Sequence, residues 1–329
     1  MADSIAPVRI GILGAARIAK LTVVDPARAN IDVRLAAVAA RDPERARAYA
    51  DKFGFDRAID SYQALIDDPD IDAIYNALPP ALHMDLTIAA LEAGKAVLCE
   101  KPFAMNAGEA RAMVDAARRT GALLMEGFHY RYHPMIAAVL EVVRSGEIGA
   151  VRRIEAVSEV PTPDGPGQIR YDPALGAGVL MDLGTYCVHL CRTLTGEEPR
   201  VTAAQSRLTD AGVDVRTTTS LAFPGGVEAS IVCSFEDGPR AALTIEGDTG
   251  RLVALNPLLP QYGNRLTIET GGETRTQTFT RDPTYGFQLT AFVAAVRGGA
   301  APPTSGEDCV AQMTALDAIR AVADPSARR

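Results

Sequence analysis

The hydrophobic pattern of this chain changes period once. In the first third, short apolar runs alternate with longer amphipathic stretches. Residues 8–14 form an apolar run that ends in a glycine turn, and residues 15–20 open a helix. Residues 33–40 predict a second strand, and Pro43, suited to a first helical turn, opens a helix to about Phe53. A shorter helix begins at Asp60-Ser61. Residues 72–78 predict a strand stopped by Pro79-Pro80, and the next helix has His83 in its first turn and ends at Gly94. Residues 96–99 read as a buried strand running into Glu100-Lys101-Pro102; a helix over 106–120 and a strand over 122–126 follow. Strands alternating with helices of this length imply a parallel, doubly wound sheet.

The texture changes at Gly127. Residues 128–134 pack aromatics, histidines and an arginine into one segment, and a helix over 135–145 follows. Residues 151–160 read as a strand, 161–167 as a proline- and glycine-rich loop, and 176–191 as a helix. After Pro199 the period is two. Strands are predicted over 215–223, 227–235, 240–246, 265–270 and 274–280, with turns at Gly225-Gly226, Asp237-Gly238 and Gly271-Gly272. Helices over 287–297 and 305–322 close the chain, the last with Ser305 as N-cap and Glu307 and Asp308 in its first turn. The expected class is α/β: residues 1–126 as a doubly wound parallel sheet, and residues 127–329 as an α/β domain with a large, mostly antiparallel open sheet. Such a sheet needs cover on both faces, which points to a second subunit on one of them.

Composition narrows the function. At 329 residues the chain has room for two compact domains, and 47% hydrophobic with 22% charged residues is ordinary for a globular protein. A net charge of -8 argues against a nucleic-acid partner. No polybasic run or apolar stretch of membrane length stands out, and the N-terminus carries no secretory signal, so a cytoplasmic protein is expected. The five cysteines are odd in number and scattered, as reduced thiols are. Cys187 and Cys191 lie four apart, and buried small residues explain them better than a metal. The four histidines have no metal spacing, and no metal is assigned.

The candidate chemistry sits at strand ends. Gly11-x-x-Gly14-x-Ala16, followed by Arg17 and Ile18, places glycines and a helix start where a pyrophosphate would meet amide donors and the positive end of a helix dipole. At the end of the second strand, an acid would bind the ribose hydroxyl of NAD. This chain has Arg41, which can pair with the 2′-phosphate of NADP, and then Asp42; NADP is favoured, with NAD possible. Asn76, Pro79 and His83 follow a strand on the ligand edge, and His83 is equally readable as a first-turn residue satisfying a neighbour. A charge pair at Glu100-Lys101 just past a buried strand aims Lys101 at a reacting centre, with Pro102 holding its conformation. Arg131, beside Tyr130, is open between a substrate contact and a structural ion pair. Asp182, Tyr186 and His189 fall at i, i+4 and i+7, one polar stripe on an apolar helix, costly to bury without partners.

Gly11-Ile12-Leu13-Gly14-Ala15-Ala16, Pro79-Pro80-Ala81-Leu82-His83, Glu100-Lys101-Pro102, and Gly176-Ala177-Gly178 leading to Asp182 and Tyr186 occur in this order over nearly the whole chain. In these pieces the chain resembles the glucose-fructose oxidoreductase / inositol dehydrogenase (Gfo/Idh/MocA) family of NAD(P)-dependent oxidoreductases. Residues 130–134 and Tyr186 are most similar to its dimeric dihydrodiol dehydrogenase and D-xylose dehydrogenase branch; inositol dehydrogenases carry a histidine where Tyr186 stands. The resemblance implies a Rossmann domain, then an open-sheet domain often used for oligomers, here a homodimer or homotetramer. It implies a sugar, polyol or diol dehydrogenase, or the reverse carbonyl reduction, acting on a small carbohydrate or diol.

Hydride transfer from an alcohol carbon needs the hydroxyl proton removed. A tyrosine, with a reference pKa of about 10, is a weak base at neutral pH unless an ammonium stabilises its phenolate. Lys101 and Tyr186 therefore form a coupled acid/base pair, with the proton's resting place open. Glu100 either orients the loop or balances its charge. Asp182 and His189, with Arg131 and Tyr130, would position substrate; Gly11, Gly14, Ala16, Arg17, Ile18, Arg41, Asn76, Pro79, His83, Glu100 and Lys101 would line the cofactor. Two other functions fit the same fold: a non-catalytic nicotinamide sensor, which has little use for both Lys101 and Tyr186, and an NAD-dependent glycosidase, which Arg41 disfavours.

Overall fold

The computed structural model describes residues 6–323; the N-terminal residues 1–5, expected to carry no signal, and residues 324–329 lie outside the described residues. Strands occur in the order β1 (Val8–Leu13), β2 (Val33–Ala39), β3 (Arg57–Ile59), β4 (Ala73–Asn76), β5 (Ala96–Cys99), β6 (Leu124–Glu126), β7 (Val151–Glu159), β8 (Arg200–Leu208), β9 (Asp214–Ala222), β10 (Glu228–Ser234), β11 (Arg240–Gly247), β12 (Gly250–Leu255), β13 (Arg265–Thr270) and β14 (Glu273–Gln277). They form two sheets, and the described residues cluster into two compact units.

The first unit contains residues 6–129 and Tyr285–Val310. Its six-stranded sheet has the order β3-β2-β1-β4-β5-β6, and every pairing is parallel. This is the dinucleotide-binding arrangement expected, with the strand order reversing beside β1. Its central strands read as continuous apolar runs because they are covered on both faces: Ile12, Leu13, Ile74, Tyr75, Val97 and Leu98 are fully buried. The sequence expectation assigns 127–329 to a second domain, yet Tyr285–Val310 packs with the first unit. The reason is backbone pairing. Glu126 N donates to Thr304 O at 2.8 Å, Thr304 Oγ1 donates to Glu126 O at 2.9 Å, and Met125 bridges Ser305 antiparallel. Ser305 is consequently not a helix cap: its hydroxyl donates to Pro302 O at 2.6 Å, and the last helix starts at Glu307.

The second unit contains Tyr130–Thr284 and residues 311–323. Its eight-stranded sheet has the order β14-β13-β12-β11-β7-β10-β9-β8, antiparallel except for β10 beside β7. β3, β8 and β12 have no counterpart in the sequence reading. β3 is three residues long, and β8 is mostly exposed, so neither has the apolar content that marks a strand. β12 follows β11 through a turn at Asp248-Thr249 too short to break the run visibly. The segment Pro173–Thr195 is long and apolar enough to cross a membrane by length and composition, which the sequence reading overlooks; 72% of its most apolar window is buried inside the protein, as in a core helix.

Leu98 is fully buried at the centre of β5, paired to Tyr75 and Met125. Leu98→Ala should cost about 2–5 kcal/mol of stability, read as a lowered urea midpoint by far-UV circular dichroism. A loss under about 1 kcal/mol would mean that β5 is not packed on both faces.

Candidate active site

In the first unit, the carboxyl ends of three neighbouring strands meet. β1 ends in the turn at Gly14. Gly14 has φ +102°, a conformation that favours glycine, and a Cβ there would come 3.0 Å from Leu78 Cδ2. Gly11 lies within β1, and its missing Cβ makes room for Leu65, 2.6 Å away from where the Cβ would stand; its smallness serves packing. Ala16 precedes the helix at Arg17–Ala19, which includes Ile18 and continues as a π-turn over Lys20–Val24. The helix Pro43–Phe53 braces this turn from the side: Arg45 donates to Ala15 O at 2.8 Å and Tyr49 OH to Ala16 O at 3.0 Å. A cavity of about 540 Å³ lies here, lined by Arg17, Lys20, Arg45, Tyr49, Lys52 and Phe53 among others. Arg45, the third residue of the helix Pro43–Phe53, is not marked by any motif of the sequence.

At the end of β2, Arg41 is exposed. Asp42 is occupied, since its Oδ1 accepts from Glu44 N at 3.0 Å and caps the helix. Asp42 thus serves as the N-cap of the helix Pro43–Phe53.

After β4, Asn76 is fully buried and shapes the loop: its Nδ2 donates to Thr87 Oγ1 at 3.2 Å, and its Oδ1 accepts from Leu78 N at 3.3 Å. Pro79 starts the short turn Pro80–Leu82. His83 is fully buried, with Nε2 2.7 Å from Leu78 O and Nδ1 3.1 Å from Pro102 O and 3.2 Å from Phe103 O. It ties the loop after β4 to the loop after β5. Burial holds its pKa below the ordinary histidine value, against the carbonyl contacts that raise it.

After β5 comes Glu100-Lys101-Pro102, with a cis Lys101-Pro102 bond. Glu100 is 6% exposed. Its Oε1 accepts from Tyr75 OH at 2.6 Å and Thr22 Oγ1 at 3.5 Å, and its Oε2 accepts from Lys101 N at 3.3 Å. Burial raises its pKa, while those hydrogen bonds and the Lys101 charge pull it back. Glu100 therefore orients the loop. His129 lies near enough to Lys101 to feel its charge; burial first, and that charge second, push its pKa down to about 3. Its ring packs against that of Tyr285, tilted by 45° with centroids 4.2 Å apart.

The second unit gathers the other candidates. The polar stripe begins on a π-turn, Leu180–Gly184, and continues into the helix Thr185–Thr195, where an uninterrupted α-helix was expected. Tyr130 and His189 are buried, with Tyr130 OH 2.6 Å from His189 Nδ1. The Tyr130 ring also meets that of Tyr186 edge-on at 6.0 Å. Asp182 Oδ2 accepts from Arg170 Nε at 2.6 Å. Arg131 is partly exposed on the turn His129–Tyr132. The Gly176-Ala177-Gly178 segment has its own reason: Gly178 has φ +111°, and a Cβ there would come 1.8 Å from Asp214 Oδ1. Asp214 Oδ2 accepts from Leu180 N at 2.8 Å, which anchors the π-turn. Burial of Cys187 and Cys191 raises their pKa, that of Cys191 to about 12.

The family described as "Oxidoreductase family, NAD-binding Rossmann fold" matches residues 8–128, and "GFO/IDH/MocA C-terminal domain" matches residues 136–253. D-xylose 1-dehydrogenase (NADP(+)) 2 of Haloferax volcanii is 38% identical over 320 residues, 96% of this chain and 98% of that protein. Trans-1,2-dihydrobenzene-1,2-diol dehydrogenase of Mus musculus is 36% identical over 244 residues, 74% of this chain and 73% of that protein. The crystal structure of a 3-ketoreductase from Actinomadura kijaniata in complex with NADP and TDP-benzene superposes with a TM-score of 0.89 at 30% identity, covering 96% of this chain and 98% of that one.

His129 yields a pH prediction. The unfolded chain binds its proton below about pH 6.5, whereas the folded chain does so only near pH 3. Stability from this group is complete above the unfolded value and is lost as pH falls toward the folded one, with a slope of about 1.4 kcal/mol per pH unit. His129→Phe should flatten urea stability between about pH 6 and pH 4 relative to the native chain; an unchanged slope would show that His129 takes up its proton in the folded state.

Proposed function

This chain belongs to the GFO/IDH/MocA oxidoreductase family, and on that premise we propose that it moves a hydride between NADP and a hydroxyl-bearing carbon of a sugar, polyol or diol. The reaction is that of an aldose dehydrogenase of the D-xylose type, or the same step run backwards as a carbonyl reduction. One observation carries this reading: the neighbouring parallel strands β1 and β5 run on into Gly14 and Lys101 and β4 between them ends at Asn76, at the edge where open α/β sheets receive ligands.

The residues fit a dinucleotide. Gly14 leaves the backbone bare at the helix start, and Asp42, the acid suited to a ribose 2′-hydroxyl, is used as a helix cap. Arg41 then remains as the charged group for a 2′-phosphate, while Arg17 and Arg45 line the cavity beside the glycine turn. NADP, when bound, supplies the hydride-accepting ring. Lys101 and Tyr186 are the proposed acid/base pair: the ammonium favours the phenolate, and the phenolate takes the proton of the reacting hydroxyl. Asp182, His189, Arg131 and Tyr130 would fix the remaining hydroxyls, which sets the substrate class as a small polyhydroxylated molecule. Likeness to a D-xylose dehydrogenase supports an aldose, and likeness to a 3-ketoreductase supports the reductive direction.

Lys101→Ala and Tyr186→Phe should each lower turnover by more than about a hundredfold, with little change in NADPH affinity by fluorescence titration; near-normal turnover in both would remove the pair from the mechanism. Initial rates with NADP and NAD over aldoses, polyols and vicinal diols should favour NADP. Arg41→Ala should weaken NADP by about tenfold or more while sparing NAD; equal loss for both cofactors would mean that Arg41 does not touch the 2′-phosphate.

A further inference from the structure

Arg170 sits on the short turn Ile169–Tyr171 and belongs to none of the motifs above. Its Nε donates to Asp182 Oδ2 at 2.6 Å, and its carbonyl accepts from Gly178 N at 3.1 Å. Asp182 N donates in turn to Gly178 O at 3.0 Å. Side chain and backbone thus both bind Arg170 to the segment that carries Asp182. The pair is partly withdrawn from water, with side chains 36% and 18% exposed.

Tyr186 follows Asp182 by four residues, so the two side chains stand on one face. The Arg170 guanidinium feels both: the Asp182 carboxylate first, and the charge of Tyr186 after it, raise its pKa against burial. That attraction is mutual. Without the guanidinium, Asp182 would be an uncompensated negative charge one turn from the phenol, and would oppose loss of the phenol proton.

We propose that Arg170 is a positioning residue of the reaction, which fixes the Asp182 carboxylate through their ion pair and balances its charge one helical turn from Tyr186. This rests on the assignment of Tyr186 to proton transfer. Other titratable groups face this region from the elements around it. Tyr130 meets the Tyr186 ring and His189 binds the Tyr130 hydroxyl, while Asp214 on β9 and Cys233 on β10 lie against the π-turn. Substitution at Arg170 leaves all four in place.

The test reads Tyr186 directly. Phenolate absorbance is titrated in the full chain, without substrate, and the Tyr186→Phe chain is subtracted in each background. Arg170→Met should raise the Tyr186 midpoint by about one pH unit or more, and Arg170→Lys by less. An unchanged midpoint in Arg170→Met would overturn the proposal. Should that variant fail to fold, Asp182→Asn, which deletes the anion and keeps the cation, should lower the midpoint; a midpoint that stays or rises would overturn the proposal equally. No turnover is needed, so a chain that passes hydride to NADP from none of these substrates would fail the hydride-transfer reading while leaving this result legible.

Discussion

A carboxylate buried beneath the end of a strand must be held by donors, and Glu100 is held by three: the Tyr75 hydroxyl, the Thr22 hydroxyl and the Lys101 amide. The geometry after β5 depends on this constraint. Tyr75 belongs to β4 and Thr22 to the π-turn after β1, so one side chain ties together the ends of neighbouring strands. His83 adds a second tie between the loops after β4 and β5. Lys101 follows directly on this anchored carboxylate, and its own amide is one of the donors, so its backbone position is fixed by the same network.

The second unit solves a comparable problem differently. A helix bearing Asp182, Tyr186 and His189 among apolar residues has to satisfy each polar group inside a packed layer. Tyr130 meets His189, Arg170 meets Asp182, and Asp214 caps the start of the π-turn through Leu180 N. The turn itself is where an α-helix would have been expected, and π-turns frequently mark functional positions. Gly178 is required because Asp214 occupies the space a side chain would need.

Much of this was legible in one dimension. The apolar runs of β1, β4 and β5, the glycine at the first turn and the charge pair after β5 are local features, and local features imply their elements directly. What escaped was non-local. β3 and β8 bury too little to show as strands, and the return of Tyr285–Val310 to the first unit rests on hydrogen bonds between Thr304 and Glu126, 178 residues apart in sequence. Arg170 was invisible because its partner lies twelve residues away, across a loop whose path no period describes.

The sequence by itself determined the α/β class, the parallel character of the first sheet and which residue types stand at its strand ends, because periodicity and turn chemistry act over a few residues. Only the tertiary structure decided that Glu100 is held by Tyr75, that His83 bridges two loops and that Asp182 is paired to Arg170. Each of those depends on which donor reaches which acceptor through space, and hydrogen bonds and ion pairs act over about 3–4 Å, a scale on which distance along the chain carries no information.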